Sequence, residues 1–243
     1  MEAPLFKSNL VVIALSSNET PGAGATSRED ALYVIDRYGL RSTLPPAVMT
    51  YLVRGCGRRD PVVPFHRGSV FRIVANIRQA IDACVAEAAR LGLGVRVLSD
   101  QMNGNTHDAA RSFAVAACEA ARAVRAGTAP ILLLAGGETT LAVRGAGRGG
   151  RNQEFALVAA QALQGVRQVT LLATGTDGTD GPTDAAGAFV DDSTFARARA
   201  LGLEPMEHLR NNDSHPLFDT LGDRHDTGPT GTNVMDLVMG LIH

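Results

Sequence analysis

Leu132–Glu154 reads LLLAGGETTLAVRGAGRGGRNQE: an apolar run, two glycines and a glutamate, then a loop of glycine and arginine that closes on NQE. The apolar run, counted from Ile131 to Ala135, is of the kind that a strand covered on both faces requires. A helical pattern follows over Gln153–Leu163, and Val169–Ala173 is a second apolar run. After it comes Thr174–Gly187, TGTDGTDGPTDAAG, which repeats the device of a buried strand feeding a glycine-rich, charged loop. Nowhere else do glycine, arginine and carboxylate crowd at this density, so chemistry is expected between these two loops.

Working outward, the alternation of strand and helix continues. Val70–Val74 reads as a strand, and Ile77, Ile81, Cys84, Val85, Ala88 and Leu91 keep helical spacing behind it. Gly92 and Gly94 break that helix before a strand at Val95–Leu98. Asp108–Val124 is amphipathic, with Phe113, Ala117, Ala120 and Val124 on one face. Asp192 or Ser193 caps a helix reaching Ala200. Val234–Ile242 alternates Met235, Leu237, Met239 and Leu241 like a strand with one buried face. Nearer the start, Leu10–Leu15 is a β-branched run closed by the turn-rich Ser16–Thr26. Ser27 caps a helix over Asp30–Tyr38 that Gly39 ends, and Leu44–Pro46 makes a further turn. The pattern predicts βαβ units, hence an α/β fold with a largely parallel or mixed sheet and flanking helices. Arg54–Gly68, rich in Gly, Pro and Arg, reads as a linker dividing a segment 1–65 from an α/β domain 66–243. Ligands of such sheets bind beyond the carboxyl ends of the strands, which puts Gly136–Glu138 and Gly175–Asp177 on one rim.

A length of 243 residues suits one large domain or two small ones. The net charge of -2 gives no reason to expect nucleic acid or an anionic membrane as partner. No apolar run approaches the roughly 20 residues that span a bilayer. Leu10–Leu15 is too short for the core of a signal peptide and follows Glu2 where a basic stretch would stand, so a cytoplasmic protein is expected. Cys56, Cys84 and Cys118 are scattered, which argues against a disulfide framework; Cys84 and Cys118 read as buried, inert thiols. The six histidines have no metal-ligand spacing and read as ordinary surface or loop residues.

Gly145–Gly150 matches G-x-G-x-x-G between a strand and a helix, the pyrophosphate-loop pattern of dinucleotide folds. The acidic residue such folds place about 20 residues on is missing, since Val169–Leu172 stands there. What remains is a loop whose glycines let amides converge on an anion, with a helix from Asn152 aiming its positive end at the same place. Arg148 and Arg151 add planar forks for carboxylate or phosphate. A hairpin whose arginines pair with Glu154 or Glu138 is the plain alternative. Asp177, Asp180 and Asp184 share one Gly/Thr/Pro-rich loop, as Mg²⁺ ligands or as turn residues. A hard cation beside an anion cradle is the pairing that phosphoryl transfer uses.

The segments GGETTLAVRGAGRGGRNQE, GTDGTDGPTDAAGA, NNDS (211–214) and TGPTGTNVMDL (227–237) resemble, in order and spacing, the C-terminal MOFRL domain of the glycerate 2-kinase family. The likeness runs from about Pro130 to His243, and a weaker one reaches back to Asn9 through DALYVIDRYGL, LPPAV and VRVLSD. The resemblance implies half of a two-domain α/β kinase whose active site lies in the cleft between the domains. It implies transfer of the γ-phosphoryl of ATP to D-glycerate with Mg²⁺, usually at the 2-hydroxyl. Some members carry an older label of hydroxypyruvate reductase.

Carried onto this chain, the resemblance makes the family's catalytic arginine either Arg148 or Arg151, with Arg151, next to the helix N-terminus, favoured. It lines the substrate and nucleotide site with Gly136, Gly137, Glu138 and Thr139 after one strand, and with Gly149, Gly150, Asn152, Gln153 and Glu154 at the next helix. Asn212 and Asp213, then Thr232 and Asn233, come from two further loops, and Asp177 with Asp180 would hold Mg²⁺. Two departures stand out. The family's N-terminal domain, with its glycine-rich segment and catalytic lysine, precedes the part matched here, so a separate chain supplying that half, or a homo-oligomer, is one expectation. A non-catalytic phosphate-binding module is the other. Ala14–Thr20 (ALSSNET) stands where the family reads close to ASGPT, and Gly104-Asn105-Thr106 where it reads Gly-Glu-Ala.

Overall fold

The computed structural model describes residues 11–15, 27–55, 70–124 and 129–243. These fall into two compact units, one ending at Arg72 and the other running from Ile73 to His243. The expected turn at Ser16–Thr26, Cys56, and the linker from residue 56 to 68 with its 65/66 boundary lie outside the described residues.

Early in the chain come β1 (Val11–Leu15), α1 (Arg28–Arg37), a 3-10 turn at Leu40–Ser42 and α2 (Pro46–Arg54), and β1 pairs with β2 (Val70–Ala75). A reciprocal cap starts α1: Asp30 donates its amide to Ser27 Oγ, and the Asp30 carboxylate accepts from the Ser27 amide. Gly39, at φ 63°, ends it as expected. The predicted turn at Leu44–Pro46 instead starts α2, because Pro46 occupies a first helical position where a missing N–H goes unused.

The second unit contains α3 (Ile77–Arg90), β3 (Gly94–Met102), α4 (Thr106–Ala123), β4 (Ile131–Gly137), α5 (Arg151–Leu163), β5 (Val169–Gly175) and β6 (Gly187–Val190). Three short helices follow, α6 (Thr194–Ala200), α7 (Pro205–Arg210) and α8 (Ser214–Leu221), then β7 (Arg224–His225) and β8 (Asp236–Ile242). The strands form one sheet in the order β3-β4-β8-β5-β6-β7. Only β3 and β4 pair in parallel; β8 runs antiparallel to both β4 and β5, and β6 and β7 continue antiparallel. The sheet is therefore mixed, the second of the two expected forms.

Because β8 is inserted head-down, β4 and β5 run the same way, and their carboxyl ends share one rim. The register places Asp236, the first residue of β8, opposite Gly137 on one side and Gly175 on the other. One face of the sheet packs on α4 and α5, where Phe113 and Phe155 meet edge to face with centroids 6.2 Å apart. The opposite face packs Met235 and Leu237 on Ile77 and Ile81 of α3. The expectation of one buried face on β8 is thus corrected: a central strand covered by helices on both sides buries Val238 and Ile242 fully, on the face opposite the predicted one. Cys84 and Cys118 are half-buried rather than buried, and desolvation pushes both thiols up, away from reactivity.

Candidate active site

Asp236 sits at the centre of the rim with only 1% of its side chain exposed, so its carboxylate must be matched by donors. Arg151, at the first position of α5, supplies a two-pronged contact: Nε donates to Oδ2 at 2.6 Å and Nη2 to Oδ1 at 3.0 Å. Asn152 Nδ2 adds a third bond to Oδ1 at 3.1 Å. Burial pushes the Asp236 carboxyl up while the guanidinium pulls it back, and the bond to Asp236 lifts Arg151 still further above its ordinary value. The remaining edge of Arg151 turns to Glu138, whose Oε1 lies 2.9 Å from Nη1 and whose side chain is 47% exposed. One edge of the guanidinium is locked by a buried partner, and the other meets a carboxylate that solvent or a ligand can replace.

The glycine-rich loop is not the open anion cradle that its composition suggests. Its amides are filled by the chain at 211–213: Arg144 and Gly145 donate to Asn212 Oδ1, Ala146 to Asn211 Oδ1, Gly147 to the Asn211 carbonyl and Arg148 to Asp213 Oδ1. The glycines are there for close approach. A Cβ on Gly145 would lie 2.2 Å from the Asn211 carbonyl oxygen, and one on Gly147 2.5 Å from Asp213 Cβ. A pyrophosphate would find these amides occupied.

The start of α5 is likewise filled from within. Gly150 has no side chain to cap it, and Asp180 takes that place from the neighbouring loop, 2% exposed. Its Oδ1 accepts from the Asn152 amide and Nδ2, its Oδ2 from the Gln153 amide and Nε2, at 2.8 to 3.3 Å. Burial raises the Asp180 carboxyl, opposed by the two amides and the Gln153 side chain. Four N–H donors thus engage both of the oxygens that Asp180 is expected to offer Mg²⁺ beside Asp177. Among the described residues no group of three His, Cys, Asp or Glu is placed to hold a metal ion.

Several other predicted ligand-binding residues serve as the frame of the site. Glu154, fully buried, accepts from Asn212 Nδ2 at 2.6 Å, and its Oε2 lies within hydrogen-bond distance, 2.7 Å, of His107 Nε2. Gln153 links Asp180, Thr183 and His215, and Thr139 bonds the buried Thr106 hydroxyl. His107 and His215 are thus structural partners of buried polar groups rather than ordinary loop histidines. Desolvation and the Arg148 charge push His215 below its usual value. Asn212 holds its bonds at φ 53°, a left-handed conformation that asparagine tolerates.

Asp177 lies on the same rim, half-buried, with Oδ1 accepting the Thr179 amide at 3.0 Å and Oδ2 3.4 Å from the Asn233 amide group. Thr232 follows Thr230, whose hydroxyl donates to the Thr176 carbonyl and ties this loop to β5. Arg148 is exposed, reaching the Pro182 carbonyl and the exposed Asp184. Gly136 packs on Ile77 and Ile81, and Gly137, at φ 148°, lets Met102 approach. The sequence does not mark out Asp236: it lies at the head of an apolar run and reads as part of a strand.

The span from the first residue of β4 to Asp236 matches a family model described as MOFRL, over residues 131–236. The chain is 38% identical over 218 residues to a D-glycerate 2-kinase of Thermotoga maritima, covering 90% of this chain and 50% of that protein. A relative from Agrobacterium vitis, 37% identical over 88% of this chain and 55% of its own, is named for hydroxypyruvate reductase. A crystal structure of glycerate kinase from Thermotoga maritima superposes with a TM-score of 0.73 at 37% identity, over 90% of this chain and 51% of that one. The chain spans about half the length of the curated relatives it matches. No helix among the described residues is long and apolar enough to cross a membrane.

Proposed function

We propose that this MOFRL domain is the part of a glycerate 2-kinase-type phosphotransferase that handles the phosphoryl group, with ATP and D-glycerate as substrates. The observation that carries the reading is Arg151, rigid on Asp236 and meeting an exchangeable carboxylate, Glu138, at the mouth of the rim. A substrate phosphate or carboxylate displaces Glu138 from Nη1, and the exposed Arg148 swings from Asp184 to the same anion. Phosphoryl transfer asks a protein mainly for positioning and for charge stabilisation, which a pre-fixed guanidinium supplies. Mg²⁺ enters this reading with the nucleotide's phosphates, as such ions usually do, and Asp177 is the rim carboxylate left to meet it. The relatives named for glycerate kinase support the substrate assignment. The filled amides of Gly145–Arg148 speak against a nicotinamide cofactor.

The test is formation of phosphoglycerate from ATP and D-glycerate, measured for the wild type and for Arg151→Lys. Lysine keeps the charge without the fork, and we expect kcat/KM to fall by roughly 100-fold or more. Unchanged activity would remove Arg151 from the mechanism. Calorimetric binding of ATP without any turnover would instead favour a phosphate-binding module.

A further inference from the structure

Away from the Arg151 rim, α4, α5 and α7 leave a hollow of about 660 Å³, closed on one side by Leu141–Arg144. Its floor is apolar, built from Leu141, Val158, Met206 and Leu209. Its walls carry three arginines, Arg111, Arg144 and Arg210, against a single carboxylate, Asp108. The size is that of a small-molecule pocket, and an apolar floor with a few convergent charges is the usual construction.

These cations are poorly compensated. Arg111 pairs with Asp108 and Arg210 with Glu207, each one turn away on its own helix, and all four side chains are more than half exposed. Exposed pairs of this kind contribute little and exchange readily. Among the described residues Arg144 has no acidic partner for its guanidinium; its amide alone is held, by Asn212. Asp108 and Glu207 oppose an anion in this space, and Glu154 stands behind it, committed to His107 and Asn212.

We propose that this hollow binds a small organic phosphate, with its phosphate on the three arginines and its apolar body on the floor. Asn212 lines the same hollow while holding the amides of Arg144 and Gly145, at 2.6 and 3.0 Å, and the buried Glu154. A ligand here touches the clamp of the glycine-rich loop that carries Arg148 and leads into Arg151. It is a second site, separate from the rim and linked to it through one loop, and it stands whether or not the domain acts on glycerate.

Calorimetric titration of the chain with phenyl phosphate tests this, with inorganic phosphate and phenol as separate arms. Phenyl phosphate is expected to bind with a Kd of about 1 mM or tighter, and more tightly than either arm. Arg144→Ala and Arg210→Ala, both at exposed positions, should each weaken it by about tenfold, the order of one charge-assisted hydrogen bond. Arg90→Ala, at the exposed end of α3 and outside the hollow, should leave it unchanged, and thermal melts confirm that each variant is folded. The proposal is overturned if phenyl phosphate binds no better than inorganic phosphate, if both hollow variants bind like the wild type, or if Arg90→Ala weakens it as much as they do.

Discussion

Replacing Asp180 by alanine separates two roles for one carboxylate. As the cap of α5, Asp180 receives two backbone and two side-chain N–H donors at a site 2% exposed to solvent. Alanine strands all four. Each buried donor left without an acceptor costs about 1–3 kcal/mol, although the Asn152 and Gln153 side chains have second partners in Asp236 and Thr183 that soften their share. The two amides then dominate, at about 2–6 kcal/mol together, reduced by the relief of an unfavourably buried charge. We take about 3 kcal/mol as the working figure, which for a domain of this size lowers Tm by about 6–12 °C. Urea unfolding should show a lower midpoint with an unchanged slope. As a magnesium ligand alone, the same residue would be dispensable for folding, and the variant would keep its Tm while losing its dependence on Mg²⁺. A Tm within about 2 °C of wild type, well short of what the lost cap implies, would refute the capping argument.

Further outcomes follow from the same geometry. Arg151→Ala leaves Asp236 buried and unpaired, which costs about 3–5 kcal/mol for a fully buried pair and falls toward the lower figure here because Arg151 is one-third exposed; urea midpoints measure it. Gly147→Ala forces a Cβ to within 2.5 Å of Asp213 and should cost about 1–3 kcal/mol by overpacking. Gly94→Ala, whose nearest neighbour would be 3.6 Å away, should be tolerated in the same melts. His215 and His225 are both held below the ordinary histidine value by burial, so on acidification the unfolded chain takes up protons first. Stability is therefore full above about pH 6.5 and falls as the pH drops below it, and His215→Gln should flatten that slope without abolishing it.

The apolar runs of β4 and β5 and the helical spacing of α5 are legible because each of these elements is long enough to show its pattern. The six-residue α7, the eight-residue α8 and the two-residue β7 are too short to show a period. The direction of β8 is hidden for a different reason: pairing is a tertiary choice, and an apolar run reads alike in either direction. At the site, Arg151 and Glu138 stand out as charges beside glycines. Capping rules look to the residue just before a helix, here Gly150, whereas the cap of α5 comes from the neighbouring loop. The glycine motif reads as a phosphate loop because the need for close backbone approach is the same whether the approaching group is a ligand or Asn211–Asp213.

The position of β8 also bears on how the domain comes together. β4 and β5 touch no common strand except β8, and their ladders with it join Ile131 to Ile242 and Val169 to Ile242. Contacts spanning such sequence distances close slowly, because the loop entropy is spent before the ladder rewards it. During synthesis the two halves of the sheet would wait, with their facing edges open, for the last strand to slot between them. The strand that zips the sheet also brings Asp236, so an intermediate lacking it holds Arg151 by no buried partner. Closure of the sheet and the fixing of Arg151 therefore become one event, set by the strand that carries Asp236.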